Sequence, residues 1–186
     1  VADITPTAPL GGHDARFGET RLTEVTDLAL VSIAIPLGGE DALTSQLERA
    51  FALPLPDART ATSAKGRRLI RLSPDQLMLM WQDTDPDPAR GVAAALDGTG
   101  YVTTQTGAWV ALDLAGPLTL PALERVCPLA LHPDSFPPGR FARTVMEHLS
   151  VVILNTGPDA MRLLSASSSA GSFLHMLETS LRNVSD

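Results

Sequence analysis

One ten-residue stretch occurs twice in this chain. Leu47-Glu48-Arg49-Ala50-Phe51-Ala52-Leu53-Pro54-Leu55-Pro56 aligns without gaps with Leu123-Glu124-Arg125-Val126-Cys127-Pro128-Leu129-Ala130-Leu131-His132, and five of the ten positions are identical. Each copy follows an apolar alternation, a glycine turn and the start of a helix. A chain patterned in this way is read as two copies of a strand–helix–hairpin–helix unit, each resembling a split β-α-β module with antiparallel strands. The expected fold class is therefore α+β with antiparallel sheets. Its boundaries are an N-terminal arm, 1–26, and a single domain, 27–186, made of pseudo-repeats 27–106 and 107–186. Neither half holds many large apolar groups, since aromatic residues are only 4% of the sequence. Pairing the halves gives one continuous core, which is the physical motive for keeping them in one chain.

Local patterning fills in the elements. Val31, Ile33, Ile35 and Leu37 alternate along an expected strand, 28–37, that Pro36 limits. Leu43, Leu47, Ala50 and Phe51 mark a helix over 40–51, with Glu40 and Asp41 at its positive end. Strands are expected at 67–72 and 76–81, joined by a Ser73-Pro74-Asp75 turn, with Met78 and Met80 as core filler. A short helix over 88–96 and a strand over 101–105 complete the first repeat. The second repeat reads as a strand over 109–114 and a helix over 120–127 capped by Thr119. Then come a rigid Pro-rich loop, 128–139, and strands at 141–147, 151–155 and 160–165. Ser167 to Ser169 are expected to cap a last helix ending near Asn183.

Charge and cysteine content exclude several functions. The net charge of −7 with a single lysine, Lys65, argues against nucleic-acid binding, which needs a basic face to displace phosphate counterions. The densest basic cluster, Lys65, Arg67, Arg68 and Arg71, reads as solvated charges at a strand end. The lone Cys127 excludes an internal disulfide and a multi-cysteine zinc site, and fits a cytoplasmic location. No apolar run is long enough for a membrane span, and no secretory signal is visible at the start.

No catalytic constellation emerges from the residues. The histidines, His13, His132, His148 and His175, never fall at i, i+3 or i, i+4. The serine run around Ser169 lacks the glycine two places earlier that a nucleophile elbow needs. Gly98-Thr99-Gly100 opens like a dinucleotide fingerprint but fails at the third glycine and runs into a strand. Asp83, Asp85 and Asp87 alternate through a turn without the glycine and glutamate of a calcium loop. Cys127, at the inner face of a helix C-terminus, reads as an inert core thiol.

Other segments carry a resemblance. Gln105 to Leu112 (QTGAWVAL), Leu123 to Leu129 (LERVCPL), Phe136 to Thr144 (FPPGRFART) and Ser165 to Leu177 (SASSSAGSFLHML) are similar to the gamma subunit family of heterotetrameric sarcosine oxidase. The likeness extends over roughly residues 20–183 and departs at Ala166 to Ser168, where it implies an arginine. It implies a duplicated fold like the folate-binding domain of aminomethyltransferases. It also implies a non-catalytic, structural role in a complex that oxidatively demethylates sarcosine to glycine. FAD, FMN, NAD, tetrahydrofolate and zinc would belong to the other subunits, with none in this chain. The partners implied are the alpha, beta and delta subunits, with neither nucleic acid nor membrane. Such a chain would help to wall a shared internal space that keeps a reactive imine or formaldehyde from escaping. Expected contacts with partners are the arm, Phe136, Arg140 and Arg143 in or beside the Pro-rich loop, and Arg67 and Arg68. The bland alternative for Arg140 and Arg143 is an ion pair with Glu147 or Glu124. Competing readings are a free-standing folate-binding one-carbon transfer protein, with Asp113 as the carboxylate for a pterin, a subunit of a related N-methyl amino acid dehydrogenase, and a homodimeric interaction domain.

Overall fold

Residues 7–185 are described in the computed structural model. In chain order they form β1 (Asp14–Phe17), β2 (Thr20–Glu24), β3 (Leu28–Ala34), α1 (Glu40–Phe51), β4 (Thr62–Ala64), β5 (Arg67–Ser73), β6 (Gln76–Gln82), α2 (Pro88–Leu96) and β7 (Tyr101–Thr104). There follow β8 (Trp109–Ala115), α3 (Thr119–Glu124), β9 (Phe141–Met146), β10 (Leu149–Gly157), β11 (Ala160–Ala166), a 3-10 turn over Ser167–Ser169 and α4 (Ala170–Ser185). The chain divides into two compact units, Asp27–Thr106 and the remainder.

In the unit Asp27–Thr106 an antiparallel sheet runs in the order β4-β5-β6-β3-β7. Opposite residues in the ladder share a face, so Val31↔Leu79 and Ile33↔Leu77 align apolar side chains. Those residues, with Leu69, pack under Leu43, Leu47 and Phe51 of α1 and Ala89, Val92 and Leu96 of α2. Each fully buried leucine of this kind contributes about 2 kcal/mol. The opposite face is apolar too: Leu30, Ile70, Met78 and Met80 are all buried, the two methionines filling core as expected. The expected β3 is too long by three residues. Ile35 still donates to the Asp75 carbonyl (2.8 Å), but Pro36 has no N–H to continue the ladder. Leu37, assigned by alternation to the inner face, is fully exposed. Both helices match their expected bounds. α1 ends in a left-handed Ala52, and α2 begins with Pro88 at its first turn and ends in a left-handed Asp97.

The second unit carries the six-stranded antiparallel sheet β1-β2-β8-β11-β10-β9. Its core joins Leu22, Val110, Leu112 and Leu114 to Leu123, Phe136, Ile153, Leu163 and the Phe173, Leu177 and Leu181 stripe of α4. Two expectations change here. Residues 14–24, inside the expected arm, form a hairpin whose second strand pairs with β8, with Leu22↔Leu114 in register. Residues 1–6 of that arm lie outside the described residues. Helix α3 stops at Glu124, three residues early, before Pro128. Thr119 is its first residue rather than its cap, and its hydroxyl donates to the Asp159 carbonyl at 3.0 Å.

Strand order is the same in both sheets. β4-β5-β6-β3 corresponds to β9-β10-β11-β8, with β7 beside β3 where β2 stands beside β8. Leu47 and Leu123, aligned in the sequence repeat, are each fully buried in their own unit, and so are Phe51 and Cys127 within a few per cent. We propose that this order is the trace of a duplication of 27–106 and 107–186. The strand leading into each copy then pairs in the other copy's sheet.

Gly116 turns the chain out of β8 at φ +130°, and a Cβ there would lie 2.6 Å from Thr20 Cα. Gly116→Ala should therefore cost about 3 kcal/mol and lower Tm by roughly 6–12 °C. Gly91→Ala, at an open position inside α2, should raise stability by about 0.5–1 kcal/mol. Thermal unfolding followed by circular dichroism measures both, and equal effects of the two changes would contradict the close approach at Gly116.

Candidate functional site

The basic cluster is built into its unit more than it is solvated. Arg67 lies with its guanidinium 5.5 Å from the Phe51 ring and 5.4 Å from the Trp81 ring. Its Nε is buried without a hydrogen-bond partner. The flanking rings hold the charge by cation–π attraction. Arg68 Nε donates to Ser63 Oγ at 3.2 Å. Arg71 donates two bonds to Glu40 (3.2 and 2.9 Å) and also reaches the Pro74 carbonyl. That guanidinium draws the Glu40 carboxyl below its ordinary range. Lys65, in the left-handed position of the β4–β5 turn, remains exposed.

The segment of the Pro-rich loop and β9 divides in the same way. Phe136 is 6% exposed and belongs to the core, and its carbonyl accepts the buried Asn155 Nδ2–H at 2.7 Å. Within this chain it is a packing residue, not a surface one. Arg140 is half-buried and its Nε has no hydrogen-bond partner. It pairs with neither Glu147 nor Glu124 among the described residues. Arg143 is exposed on β9 and lines a groove of about 390 Å³ with Trp109, Val145, Ser150 and Val152. Arg67 and Arg68 belong to one unit, and Phe136, Arg140 and Arg143 to the other.

The other polar groups singled out in the sequence are bonded within the chain or exposed to solvent. Asp113 accepts two bonds from Arg162 (2.7 and 2.8 Å) across β8 and β11, so the carboxylate considered for a pterin is already held. Asp83 accepts from the Trp81 indole and the Asp85 amide, and Asp85 accepts from the Asp87 amide, the bonding of a solvated turn. His148 is exposed at the β9–β10 turn beside a left-handed Glu147. The expected serine cap is replaced by a 3-10 turn entered from Ala166, which has no side-chain oxygen to offer. Ser165 instead donates to the Ser150 carbonyl, and Ser180 to the Ala122 carbonyl. Among the described residues no group of three His, Cys, Asp or Glu side chains is placed to hold a metal ion. No helix among them is long and apolar enough to cross a membrane.

Sequence reasoning missed Glu24. Its side chain is buried, and its two oxygens accept the amides of Leu10 (2.9 Å), Gly12 (2.6 Å) and His13 (3.3 Å). A carboxylate cradled by three N–H groups is an internal anion site filled by the chain itself. It ties 10–13 onto β2. The only signal available was the pair Gly11-Gly12, both left-handed, the second of them twelve residues ahead of an acid in a polar strand.

No protein-family model matches the sequence. The chain is 27% identical over 162 residues to the sarcosine oxidase subunit gamma of Corynebacterium sp. strain P-1, covering 86% of this chain and 79% of that protein. Other sarcosine oxidase gamma subunits match as well. Among solved structures, a chain of the heterotetrameric sarcosine oxidase from Corynebacterium sp. U-96 superposes with a TM-score of 0.79 at 24% identity, over 92% of this chain and 88% of that one. The glycine cleavage system aminomethyltransferase T of Bartonella henselae superposes with a TM-score of 0.62 at 15% identity, over 92% of this chain and 56% of that one. The expected α+β fold, shared with these two proteins, is the one found.

Two outcomes follow from this bonding. Glu24→Ala should lose about 3 kcal/mol by leaving buried amides unpaired, and Glu24→Gln less, because one acceptor oxygen remains; urea unfolding reads both. Burial pushes the Cys127 thiol above its ordinary range, so the folded chain holds that proton more tightly than the unfolded one. Its contribution is complete below the ordinary thiol range and is lost as pH rises through the raised value. An aromatic disulfide reagent at about pH 8, near an unperturbed thiol, should leave the folded chain unlabelled and label Cys127 fully in urea. Fast labelling of the folded chain would show an accessible thiolate instead.

Proposed function

We propose that this relative of the sarcosine oxidase gamma subunits is itself a gamma subunit: the non-catalytic, structural chain of a heterotetrameric oxidase that demethylates sarcosine to glycine. One observation carries the reading. The likeness to gamma subunits runs through 86% of the chain and holds the whole two-unit fold, not one motif. The bonding inside the chain supports the same conclusion. Asp113 is committed to Arg162 and Glu24 to backbone amides, so both of these inner carboxylates are already bonded within the chain.

On this reading the partners are the alpha, beta and delta subunits, and the complex works in the cytoplasm. FAD, FMN, NAD, tetrahydrofolate and zinc reside on those other chains. This chain contributes surface: it covers part of the larger subunits and helps close the internal space through which the one-carbon unit passes to folate. Enclosure excludes water from a reactive imine and prevents its loss by hydrolysis. The free-standing folate-binding alternative needs a carboxylate open to the pterin, and Asp113 would first have to leave a two-bond ion pair.

Reconstitution provides the test. The full chain expressed alone should be colourless above the protein absorption band and show no saturable tetrahydrofolate binding by calorimetry. The oxidase assembled without it should fail to form a stable complex or lose most of its sarcosine-dependent peroxide formation, and adding the chain should restore both. Micromolar folate binding by the lone chain, or full activity without it, would reverse the conclusion.

A further inference from the structure

Four strands end the two sheets: β1 and β9 in one, β4 and β7 in the other. Three are poor templates for another chain. β4 has three residues, and β1 and β7 have four each; β1 also carries Asp14, clamped to Arg21 of β2. Short or charged edges of this kind are how sheets avoid unwanted pairing. β9 differs. It is six residues long, FARTVM, without proline or lysine. Its inner side pairs with β10 along its whole length, from Met146↔Leu149 to Phe141↔Leu154. Among the described residues no strand pairs with its outer side.

The side chains on this edge are also unusual. Arg143 stands opposite Val152 and Val145 opposite Ser150, so all four line the same face and, with Trp109, the 390 Å³ groove. Val145 is 50% exposed, one of three large apolar side chains left at the surface among the described residues. The one charged residue lining the groove is an arginine. An unprotected edge beside an apolar groove with one positive charge is the arrangement by which sheets accept an added strand, backbone bonds giving affinity and alternate side chains giving selection.

We propose that β9 is a docking edge for an extended segment of another subunit of the complex. That segment adds a strand to the six-stranded sheet, places an apolar side chain in the groove and sets an acidic one against Arg143. This inference rests on the gamma-subunit reading. A second copy of the chain is the poorer occupant. Two-fold antiparallel pairing in one sheet requires opposite residues to share a face, so the register must centre on a residue. The registers that use most of β9 centre on Arg143 or Thr144. The first puts Arg143 directly opposite its twin, and the second puts the two on a diagonal about 7–8 Å apart. Like charges there oppose self-pairing, whereas an acidic partner segment is attracted.

Hydrogen–deuterium exchange of the full chain, alone and within the oxidase assembled with its other three subunits, reads the edge directly. Amides of β9 should exchange about tenfold or more slowly in the complex. Val145→Asp and Arg143→Glu, both at exposed positions, should weaken incorporation by about tenfold or more without changing Tm. Tyr101→Asp, exposed on β7 of the other unit, should incorporate like the wild type. If both β9 variants incorporate normally, or the β9 amides exchange equally fast in the complex, the docking edge is wrong while the subunit assignment stands. If the wild-type chain does not incorporate at all, both fall. If β9 becomes protected in the lone chain as its concentration rises, the occupant is a second copy and the proposal is overturned.

Discussion

Leucine packing between one face of an antiparallel sheet and the helices laid across it holds each unit together. With aromatic residues at 4%, no few large side chains can carry the burial. The load falls on many medium-sized ones, among them Leu43, Leu47, Leu77 and Leu79 in one unit and Leu112, Leu123, Leu163 and Leu177 in the other, all at most 1% exposed. Such a core needs long, regular, apolar strands, and these strands are apolar on both faces. The cost falls on chemistry. A strand that gives every second residue to one core and most of the rest to a second buried face has few positions left for groups that react. Two of the polar residues that lie inward, Glu24 and Asn155, are bonded to backbone partners. That follows because an unpaired buried donor or acceptor costs more than a made bond returns.

The same packing explains what could be read in the residues alone. α1 was legible because a 3.6-residue apolar stripe, acidic first-turn residues and proline stops all pointed to the same bounds, and α2 because its apolar stripe starts at a first-turn proline. β5, β6 and their Ser73-Pro74-Asp75 turn were legible for the corresponding reason. β1, β2 and β4 were not. β2 buries Leu22 alone among large apolar side chains, and β4 is three residues of Thr, Ser and Ala, so period two had nothing to act on. Their existence is fixed by a neighbour's free edge, which local sequence does not encode.

The expected contact residues show a second limit. Arg67, Arg68, Arg140 and Arg143 look alike in sequence, yet they end as a ring-flanked cation, a partner for Ser63, a half-buried loop residue and an exposed groove lining. An arginine's fate depends on what lies across the ladder, Trp81 opposite Arg67 and Val152 opposite Arg143, and no local pattern carries that. Phe136 shows the same limit. It stands in a rigid, Pro-rich loop, yet Asn155 bonds its carbonyl and the ring lies in the core.

Asp113 illustrates how a carboxylate on an inner strand becomes part of the frame. The architecture shared with the aminomethyltransferase survives at 15% identity because it depends on the spacing of apolar residues, which many sequences satisfy. A carboxylate on an inner strand can then be used in two ways. Left open, it can grip a ligand. Paired with Arg162 one strand away, it becomes a cross-strand clamp with charge-assisted bonds at 2.7 and 2.8 Å. Any ligand seeking that acid must first separate the pair and give up both charge-assisted bonds, a loss larger than one ordinary hydrogen bond returns. The pair instead fixes the register of β8 against β11 at that point, so the acid holds the sheet together.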